Sequence, residues 1–302
     1  MKLSVVDAGG ETSTVPSLDA VGGIVGVGHR VVHGGPRFTD PTLVDDDVVQ
    51  ALRDLRELAP LHNEPALAAL DDARARFPDV PHVAVFDTAF HATLPAVART
   101  YALPARFRDR GIRRYGFHGI SVQSVVERVP AKRLVVAHLG GGSSVTAVLD
   151  GRSVDTTMGF TPLEGVPMGS RSGSVDPGAL LHLLAHGVGL DELTHALEQE
   201  SGLVALAGTS DMRKLESASS TEARLAVDLY CYRVAQAVAA MAVALGGVDV
   251  LAFTGGIGAR SSTVRDAVCA RLGHLAVAEV VGLESHEEQV IARAVRDLLA
   301  RQ

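Results

Sequence analysis

The chain has 302 residues, of which 47% are hydrophobic and 21% charged, and its formal net charge is -7. This length exceeds what one hydrophobic core usually holds, so we expect two domains. The acidic balance, with no basic block anywhere, argues against nucleic acid as the main partner. Only 3 lysines accompany 25 arginines, so any phosphate chemistry must rest on arginine.

We expect a cytoplasmic protein without a membrane span. The two cysteines, Cys231 and Cys269, lie in apolar, helix-like stretches, which is typical of reduced thiols. The first ten residues hold too short an apolar run for a signal peptide. The longest apolar stretch, 237–253, is interrupted by two glycines and an aspartate. It predicts a buried helix, a glycine stop and a buried strand.

Strand-like and helix-like runs alternate along the chain, which predicts an α/β fold with buried strands. The predicted strands are Leu3–Val6, Ile24–Val32, His82–Phe86, Leu134–Leu139, Val145–Leu149 and Val248–Phe253. The predicted helices are Ala66–Arg76, Ser121–Val129, Gly178–Ala185, Leu190–Glu200, Glu222–Leu245, Ser262–Leu272 and Glu287–Arg301.

Three of the apolar strands run directly into turns of small residues. These turns lie in LSVVDAGGETST at 3–14, LVVAHLGGGSSV at 134–145 and VLAFTGGIGARSS at 250–262. Glycine lets the backbone approach a phosphate closely, and successive N–H groups form an anion-binding nest. One such turn equally indicates a tight hairpin, but three at strand ends predict a duplicated domain around a nucleotide. The turns match neither GxxxxGK[ST] nor a GxGxxG that opens a helix, which disfavours a P-loop and a dinucleotide fold.

Seven longer motifs follow one another along the chain: GHRVVHGG (28–35), APLHNEPAL (59–67), VAVFDTAFHATLP (83–95), RRYGFHG (113–119), AHLGGGSS (137–144), SVDTTMGFTPLEGVPMGSRSGSVDPG (153–178) and FTGGIG (253–258). Together they closely resemble the motifs of the acetate/propionate kinase family. The resemblance implies a duplicated ribonuclease-H-like fold of the actin/hexokinase type, with two domains and a nucleotide cleft between them. It implies an abbreviated N-terminal domain, 1–89 plus a returning C-terminal helix at 289–302, and a second domain, 90–288, with the nucleotide-binding loops. It also implies ATP and a small carboxylate as substrates, Mg²⁺ as cofactor and a homodimer.

The chemistry of such a reaction needs cations more than a general base. A carboxylate that attacks the γ-phosphoryl group of ATP is already ionised at pH 7, so repulsion between anions is the obstacle. A planar guanidinium can clamp a carboxylate or a phosphoryl face. Arg30 in GHRVVHGG and Arg171 in MGSRSG stand where the family keeps its functional arginines, although either could equally be a surface arginine on a loop.

The resemblance implies that two further residues act in catalysis together with Arg171. His118 would stabilise the transferring phosphoryl group, although a histidine at this position can also tie down a strand end. Asp87 ends a buried strand, where a carboxylate is costly unless it is paired. It would pair with Arg30, contact a Mg²⁺-bound water or act as the acid/base residue, and the structural alternative is a helix N-cap.

The remaining site residues are those that match the family's motifs. Arg30 and His62 would bind the acid, and Val32, Leu61, Phe117 and Pro162 would form an apolar acyl pocket. Such a pocket discriminates by about 1–3 kcal/mol per methylene, so acetate and propionate are both candidate substrates. Asp7 and Glu287 would bind Mg²⁺, although an acid at a helix start also favours the helix dipole. The expected nucleotide-binding residues are Thr14, His138, Leu139, Gly140, Gly141, Gly142, Asp211, Met212, Arg213, Gly256, Ile257, Gly258, Ala259 and Arg260.

The first turn departs from the family's pattern. It reads DAGGETST where the family has Asn-Ala-Gly-Ser-Ser-Ser-Leu-Lys, so Asp7 replaces an asparagine and Thr14 a lysine. Far fewer residues than in the family separate this turn from GHRVVHGG, so we expect a hairpin and a helix of the first domain to be absent.

Two functions remain for such a chain. One is a short-chain carboxylate kinase that interconverts acetate plus ATP with acetyl phosphate plus ADP. The other is a weak or inactive family member that binds nucleotide or acyl phosphate in a regulatory role. The joint presence of Arg30, Asp87, His118, Arg171 and Glu287 favours the kinase.

Overall fold

The computed structural model describes residues 3–55 and 60–301, without the side chains of residues 60–64. The strands are β1 (Ser4–Val6), β2 (Thr12–Thr14), β3 (Val27–Val31), β4 (Thr42–Leu43), β5 (His82–Phe86), β6 (Arg133–Leu139), β7 (Ser143–Leu149), β8 (Arg152–Thr156), β9 (Val250–Thr254) and β10 (Glu279–Gly282). The helices are α1 (Asp46–Asp54), α2 (Pro60–Arg76), α3 (Ala96–Arg99), α4 (Ala105–Arg108), α5 (Gly119–Val126), α6 (Pro177–Ala185), α7 (Leu190–His195), α8 (Gly202–Ala207), α9 (Met212–Ser217), α10 (Thr221–Leu245), α11 (Gly255–Arg260), α12 (Ser262–Ala270) and α13 (Glu287–Leu299).

The residue contacts divide the chain into two compact units. The first comprises Met1–Ala92, Phe117–Arg128 and Ser285–Gln302, and the second comprises Thr93–Gly116 and Val129–Glu284. The first unit therefore includes α5, which the sequence-based division assigned to the second domain. The predicted domain boundaries at 89 and 288 stay a prediction.

A three-stranded sheet with both faces covered forms the centre of the first unit. β3 pairs in parallel with β5, and β4 pairs antiparallel with β5. Alternate side chains of a strand point to opposite faces of the sheet. Val83 and Val85 accordingly pack with α5 and α13, while Ala84 and Phe86 pack with α1 and α2. Because both faces are buried, β5 is a continuous apolar run without alternation.

Helix α13 lies unusually close to β3. A Cβ on Gly28 would overlap Ile291 and would lie 3.1 Å from Val295 Cγ2. Glycine is therefore required at this position of the strand, which explains the first letter of the GHRVVHGG motif.

The second unit is built on a five-stranded mixed sheet in the order β10-β9-β6-β7-β8. β10, β9 and β6 are parallel, and β6, β7 and β8 form an antiparallel meander. By length and composition alone α10 could cross a membrane, but its buried residues, from Ala223 to Leu245, pack in the core of this unit. The helix ends at Gly246, whose φ of 67° is left-handed. The predicted buried helix, glycine stop and buried strand are thus confirmed, and both cysteines are free.

Two sequence-based predictions of elements are wrong. The third predicted small-residue turn is a short helix in the structure: α11 begins at Gly255, the residue directly after β9. The predicted strand Ile24–Val32 pairs only over Val27–Val31. Helix α1 was not predicted, although Asp45 caps it by accepting from Val48 N at 2.8 Å and it buries three apolar residues at helical spacing.

Two neighbouring histidines are buried in the first unit. His29 Nε2 and His82 Nδ1 are 2.9 Å apart, and His82 Nε2 lies 3.0 Å from the carbonyl oxygen of Phe77. A carbonyl only accepts, so His82 Nε2 donates to Phe77 and His82 Nδ1 accepts from His29. Burial, and secondly the neighbouring His82, lowers the pKa of His29 to about 4.

We expect the stability of the protein to fall as the pH decreases from about 6.5 to about 4. Between these pH values His29 binds a proton in the unfolded chain but not in the folded one. Its contribution to the free energy of unfolding is therefore complete above pH 6.5 and is lost as the pH falls toward about 4. Melting followed by circular dichroism at pH 7 and pH 5 measures the effect. His29→Gln cannot titrate, so it should show a smaller difference between the two pH values. A difference as large as that of the wild type would contradict this explanation.

Candidate active site

An ion-pair cluster in the first unit joins three distant parts of the chain. Arg30 Nη2 donates to Asp87 Oδ2 at 2.7 Å, and Arg30 Nε lies 3.1 Å from the same oxygen. Arg30 Nη1 donates to Glu287 Oε2 at 2.8 Å. Parallel β3 and β5 end at the same edge of the sheet, where Asp87 N donates to Val31 O at 3.0 Å. Glu287 reaches this edge because α13 lies against β3.

Hydrogen bonds to two carboxylates, one of them buried, hold the Arg30 guanidinium in place. The Asp87 side chain is 2% exposed, that of Glu287 is 18% exposed and that of Arg30 is 40% exposed. The Asp87 carboxylate raises the pKa of Arg30, against the effect of burial, and Glu287 adds to the increase. A guanidinium has five N–H donors. Among the described residues the two carboxylates occupy three of them, so one N–H on each Nη remains for an anionic ligand.

His118 is held in a strained backbone conformation beside the same sheet edge. Its φ is 60°, and only His118 and Asp150 have a positive φ among the described non-glycine residues. Such a conformation costs about 1–3 kcal/mol, and strain of this kind clusters at functional sites. The next residue, Gly119, begins α5 and donates from its N to Asp87 O at 2.8 Å. His118 therefore directly precedes a residue whose backbone is hydrogen-bonded to that of Asp87, a member of the Arg30 cluster.

The two predicted Mg²⁺ ligands lie on segments that contact each other. Asp7 Oδ1 accepts from Glu11 N at 2.9 Å and so closes the first turn. Gln289 Nε2 donates to Gly10 O at 3.1 Å, which holds this turn on the first turn of α13, where Glu287 stands. No group of three or more histidine, cysteine or acidic side chains that could hold a metal occurs among the described residues.

The predicted acyl-pocket residues are divided by the structure. Phe117 is 1% exposed and Val32 is half-buried, and both belong to the first unit. The side chains of Leu61 and His62 lie outside the described residues. Pro162 belongs to the second unit. The pocket itself stays a prediction.

The triple-glycine turn of the second unit is a hairpin between β6 and β7. Gly140 N donates to Gly142 O at 2.9 Å. A Cβ on Gly141 would meet nothing within 4 Å, so the packing of the chain itself does not require a glycine there. The hairpin is anchored by a buried hydrogen bond of 2.9 Å between Ser143 Oγ and Tyr230 Oη.

Two of the predicted nucleotide-binding side chains are buried in the core. Met212 is 4% exposed and Leu139 is fully buried, so only their backbone is available to a ligand. Asp211 caps α9 and pairs with Arg213, whose Nε and Nη2 donate to it at 3.0 and 2.9 Å. The hydrogen bond from Arg213 lowers the pKa of the Asp211 carboxyl. His138, next to Leu139, is partly exposed.

The third predicted nucleotide loop is the short helix α11. Arg260, at its end, donates from Nη2 to Glu284 Oε1 at 2.8 Å. Both side chains are largely exposed, so this pair contributes little to stability. Ile257 packs against the core of the second unit. The helix holds five predicted nucleotide-binding residues, Gly256, Ile257, Gly258, Ala259 and Arg260. Thr14, another predicted nucleotide-binding residue, lies on β2 in the first unit and is exposed.

Arg171 is half-buried in the second unit. Its Nη1 donates to Pro162 O at 3.3 Å and lies 3.8 Å from Met168 Sδ. Burial lowers the pKa of this guanidinium, and Glu198 opposes the decrease. A cation in such a partly dry environment interacts more strongly with a ligand's charge than one in water.

Sequence reasoning missed a hydrogen-bond network of three residues in the second unit. Glu164 accepts a hydrogen bond from Arg114 Nη2 at 2.7 Å and another from the Tyr101 hydroxyl. Arg114 and Glu164 lie inside the RRYGFHG and MGFTPLEG motifs, but their contact joins residues 50 positions apart. Tyr101 lies outside every motif, so no local pattern could have identified it.

The chain is similar to known kinases over almost its whole length. A model of the acetokinase family matches residues 13–297. The chain is 52% identical over 276 residues to an acetate kinase of Deinococcus radiodurans, covering 87% of this chain and 68% of that protein. It resembles the crystal structure of a Francisella tularensis propionate kinase, with 35% identity and a TM-score of 0.87 over 90% of this chain and 79% of that one. It also resembles Porphyromonas gingivalis acetate kinase, with 32% identity and a TM-score of 0.84 over 99% of this chain and 90% of that one.

These likenesses confirm the actin/hexokinase-like α/β fold expected from the sequence motifs. With the family match spanning all but the ends of the sequence, the chain belongs to the acetokinase family.

Proposed function

We propose that this chain is a short-chain carboxylate kinase. It transfers a phosphoryl group reversibly between ATP and acetate or propionate, giving the acyl phosphate and ADP. The observation that carries the proposal is the Arg30 cluster, a fixed guanidinium with two N–H groups left for an anion at the end of a buried strand. Membership of the acetokinase family and the acetate and propionate kinases among its relatives support the choice of substrates.

The substrate carboxylate would bind to Arg30. It is ionised at neutral pH, so the reaction needs charge neutralisation and alignment but no general base. Asp87 is buried and bonded to Arg30, so we assign it the role of holding that guanidinium in place. Glu287 holds the guanidinium from the other side.

The transferring phosphoryl group would be stabilised by His118 and Arg171. A donor aimed at charge that develops in the transition state is worth about 10² to 10³ in rate. The strained backbone of His118 and the partial burial of Arg171 support these roles, because both side chains are held at a cost in stability.

ATP would bind through the hairpin of Gly140, Gly141 and Gly142. The space around Gly141 supports this assignment, because the chain's own packing leaves the position open. Backbone N–H groups of such a turn can cradle phosphate oxygens. The pair of Asp211 and Arg213 would serve the ribose and adenine side of the nucleotide.

Mg²⁺ is the cofactor that we propose. It is usually held by one or two carboxylates together with substrate phosphates and water. Asp7 and Glu287 fit this requirement, because both are carboxylates on contacting segments and each uses one oxygen, Oδ1 and Oε2, in the contacts described above. When bound, the ion would neutralise charge on the phosphates of ATP.

The active protein would be a cytoplasmic homodimer. Five large apolar side chains on and near α6 are exposed, and α6 itself has no buried residue. We call these residues the leucine surface: Val175, Leu181, Leu183, Leu184 and Leu190. Exposed apolar side chains concentrated in one short segment favour an interface, and a second copy of the same chain is the usual occupant in a symmetric dimer.

The kinase activity can be measured directly. We expect the purified protein to form acyl hydroxamate from hydroxylamine, ATP, Mg²⁺ and acetate or propionate, and to lose this activity when Mg²⁺ is chelated. Arg171→Ala should lower kcat by about 10² to 10³ and leave the affinity for ATP nearly unchanged, because its charge acts during transfer.

Two outcomes would contradict this proposal. Absence of acyl phosphate formation in both directions would favour a regulatory protein that binds nucleotide or acyl phosphate. Activity of Arg171→Ala within about threefold of the wild type would remove this residue from the mechanism.

The dimer is tested by light scattering after size exclusion. We expect the wild type to elute as a dimer and Leu181→Glu, which places a charge on the leucine surface, to elute as a monomer. Val243→Glu is the matched control, because Val243 is also largely exposed but lies on α10. A monomeric wild type, or a dimer that survives Leu181→Glu, would contradict the assignment.

A further inference from the structure

A hydrogen-bond network in the second unit holds residues 157–165, which we call the Pro162 loop. Arg114 Nη1 donates to Thr157 O at 2.8 Å and to Met158 O at 3.0 Å. Its other terminal nitrogen, Nη2, donates to Glu164 Oε1 at 2.7 Å. One guanidinium therefore ties the first residues of the loop to a residue near its end.

Tyr101 closes the network from the other side of the same carboxylate. Its hydroxyl donates to Glu164 Oε2 and accepts from Phe160 N at 3.0 Å. The space inside the loop is filled, because a Cβ on Gly159 would overlap both Glu164 and the Tyr101 hydroxyl. Burial, and secondly the hydrogen bond to Glu164, raises the pKa of Tyr101, so the phenol keeps the proton that it donates.

The loop connects this network to Arg171. Pro162 stands two residues before Glu164, and its carbonyl oxygen accepts from Arg171 Nη1 at 3.3 Å. The pyrrolidine ring fixes φ of Pro162 but not ψ, so the direction of its carbonyl depends on how the following residues of the loop are held. The Arg171 guanidinium thus hydrogen-bonds to a carbonyl of the same loop that Arg114, Glu164 and Tyr101 contact.

We propose that Arg114, Glu164 and Tyr101 are positioning residues that orient the Arg171 guanidinium for phosphoryl transfer by fixing the Pro162 carbonyl. The inference rests on the proposed kinase function. Arg114 and Tyr101 each donate to one oxygen of the Glu164 carboxylate, so this carboxylate is held in one orientation. Glu164 belongs to the loop, so the same contacts hold the loop. A displacement of about 1 Å in a group that acts on the transition state can cost about 10²-fold in rate.

The network is more elaborate than the stability of a loop requires. Arg114 and Glu164 are 16% and 35% exposed, so their pairing offsets a desolvation cost and adds little net stability. A loop of nine residues could be anchored by its backbone alone, as Tyr115 N already donates to Gly159 O at 3.0 Å. We therefore assign the additional charged contacts to the placement of Pro162.

Steady-state kinetics of Glu164→Gln and Tyr101→Phe test the inference. We expect kcat to fall by about 10²-fold in Glu164→Gln and less in Tyr101→Phe, which removes one hydrogen bond only. The KM for ATP should stay within about threefold of the wild type, because Arg171 acts mainly in the transition state. A loss of stability alone would lower the fraction of folded protein but not the kcat of each folded molecule. Titration of ATP-binding sites measures the concentration of folded protein, so kcat can be given per folded molecule.

Asp249→Asn is the matched control for Glu164→Gln. Asp249 also pairs with an arginine, Arg133, whose Nε donates to it at 2.9 Å. This pair lies at the start of β6, about 20 Å along the strand from the glycine hairpin. We expect a similar change in melting temperature and no change in kcat.

A second measurement does not depend on activity. The side-chain Nε–H resonance of Arg171, assigned with Arg171→Lys, should shift or broaden in Glu164→Gln and stay unchanged in Asp249→Asn. An active wild type with unaltered kcat in Glu164→Gln and Tyr101→Phe would overturn the inference and leave the kinase function standing. An inactive wild type would overturn the kinase function. In that case, an Arg171 resonance that is unchanged in Glu164→Gln would overturn the positioning role as well.

Discussion

The pairing of one arginine with two carboxylates is the constraint on which the first unit depends. Arg30 is bonded to Asp87, 57 positions further along the chain, and to Glu287, 257 positions further along. The Asp87 carboxylate is almost completely buried, and a buried carboxylate without a partner is strongly destabilising. The pairing therefore fixes the ends of β3 and β5 and the start of α13 at one place. Glu287, in the first turn of α13, is also favourably placed for the helix dipole.

The same arrangement explains why the chemistry is located at strand ends. A strand buried on both faces, such as β5, carries mostly apolar side chains along its length, so its charged side chain stands at its end. Asp87 follows β5 directly, and the triple-glycine hairpin follows β6 directly. In each unit the rigid sheet thus holds groups that the proposed reaction uses, and His118 adds a backbone conformation that residues other than glycine rarely adopt.

The sequence was sufficient for the elements with strong periodicity and for the residues inside long motifs. β5 was predicted with the bounds that the structure shows, because its short run is rich in apolar residues, with two valines, and ends before a charged residue. Helix α10 was predicted because its pattern extends over 25 residues. Helix α11 was mistaken for a turn, because its glycines disfavour a helix by local propensity, whereas in the structure its Ile257 packs against the core of the second unit. The network of Tyr101, Arg114 and Glu164 was missed for a different reason. Its contacts join positions that are far apart in the chain, and no periodicity or spacing encodes such a contact.

The central claim is that the planar guanidinium of Arg30, and not its charge alone, binds the substrate carboxylate. The most direct test is the rate of acetyl phosphate formation by Arg30→Lys, with circular dichroism as the check on folding. Lysine keeps the charge that Asp87 requires but cannot present two parallel N–H donors. We predict a folded protein with kcat/KM for acetate lowered by about 10²-fold. A folded Arg30→Lys protein with kcat/KM within about threefold of the wild type would contradict the account.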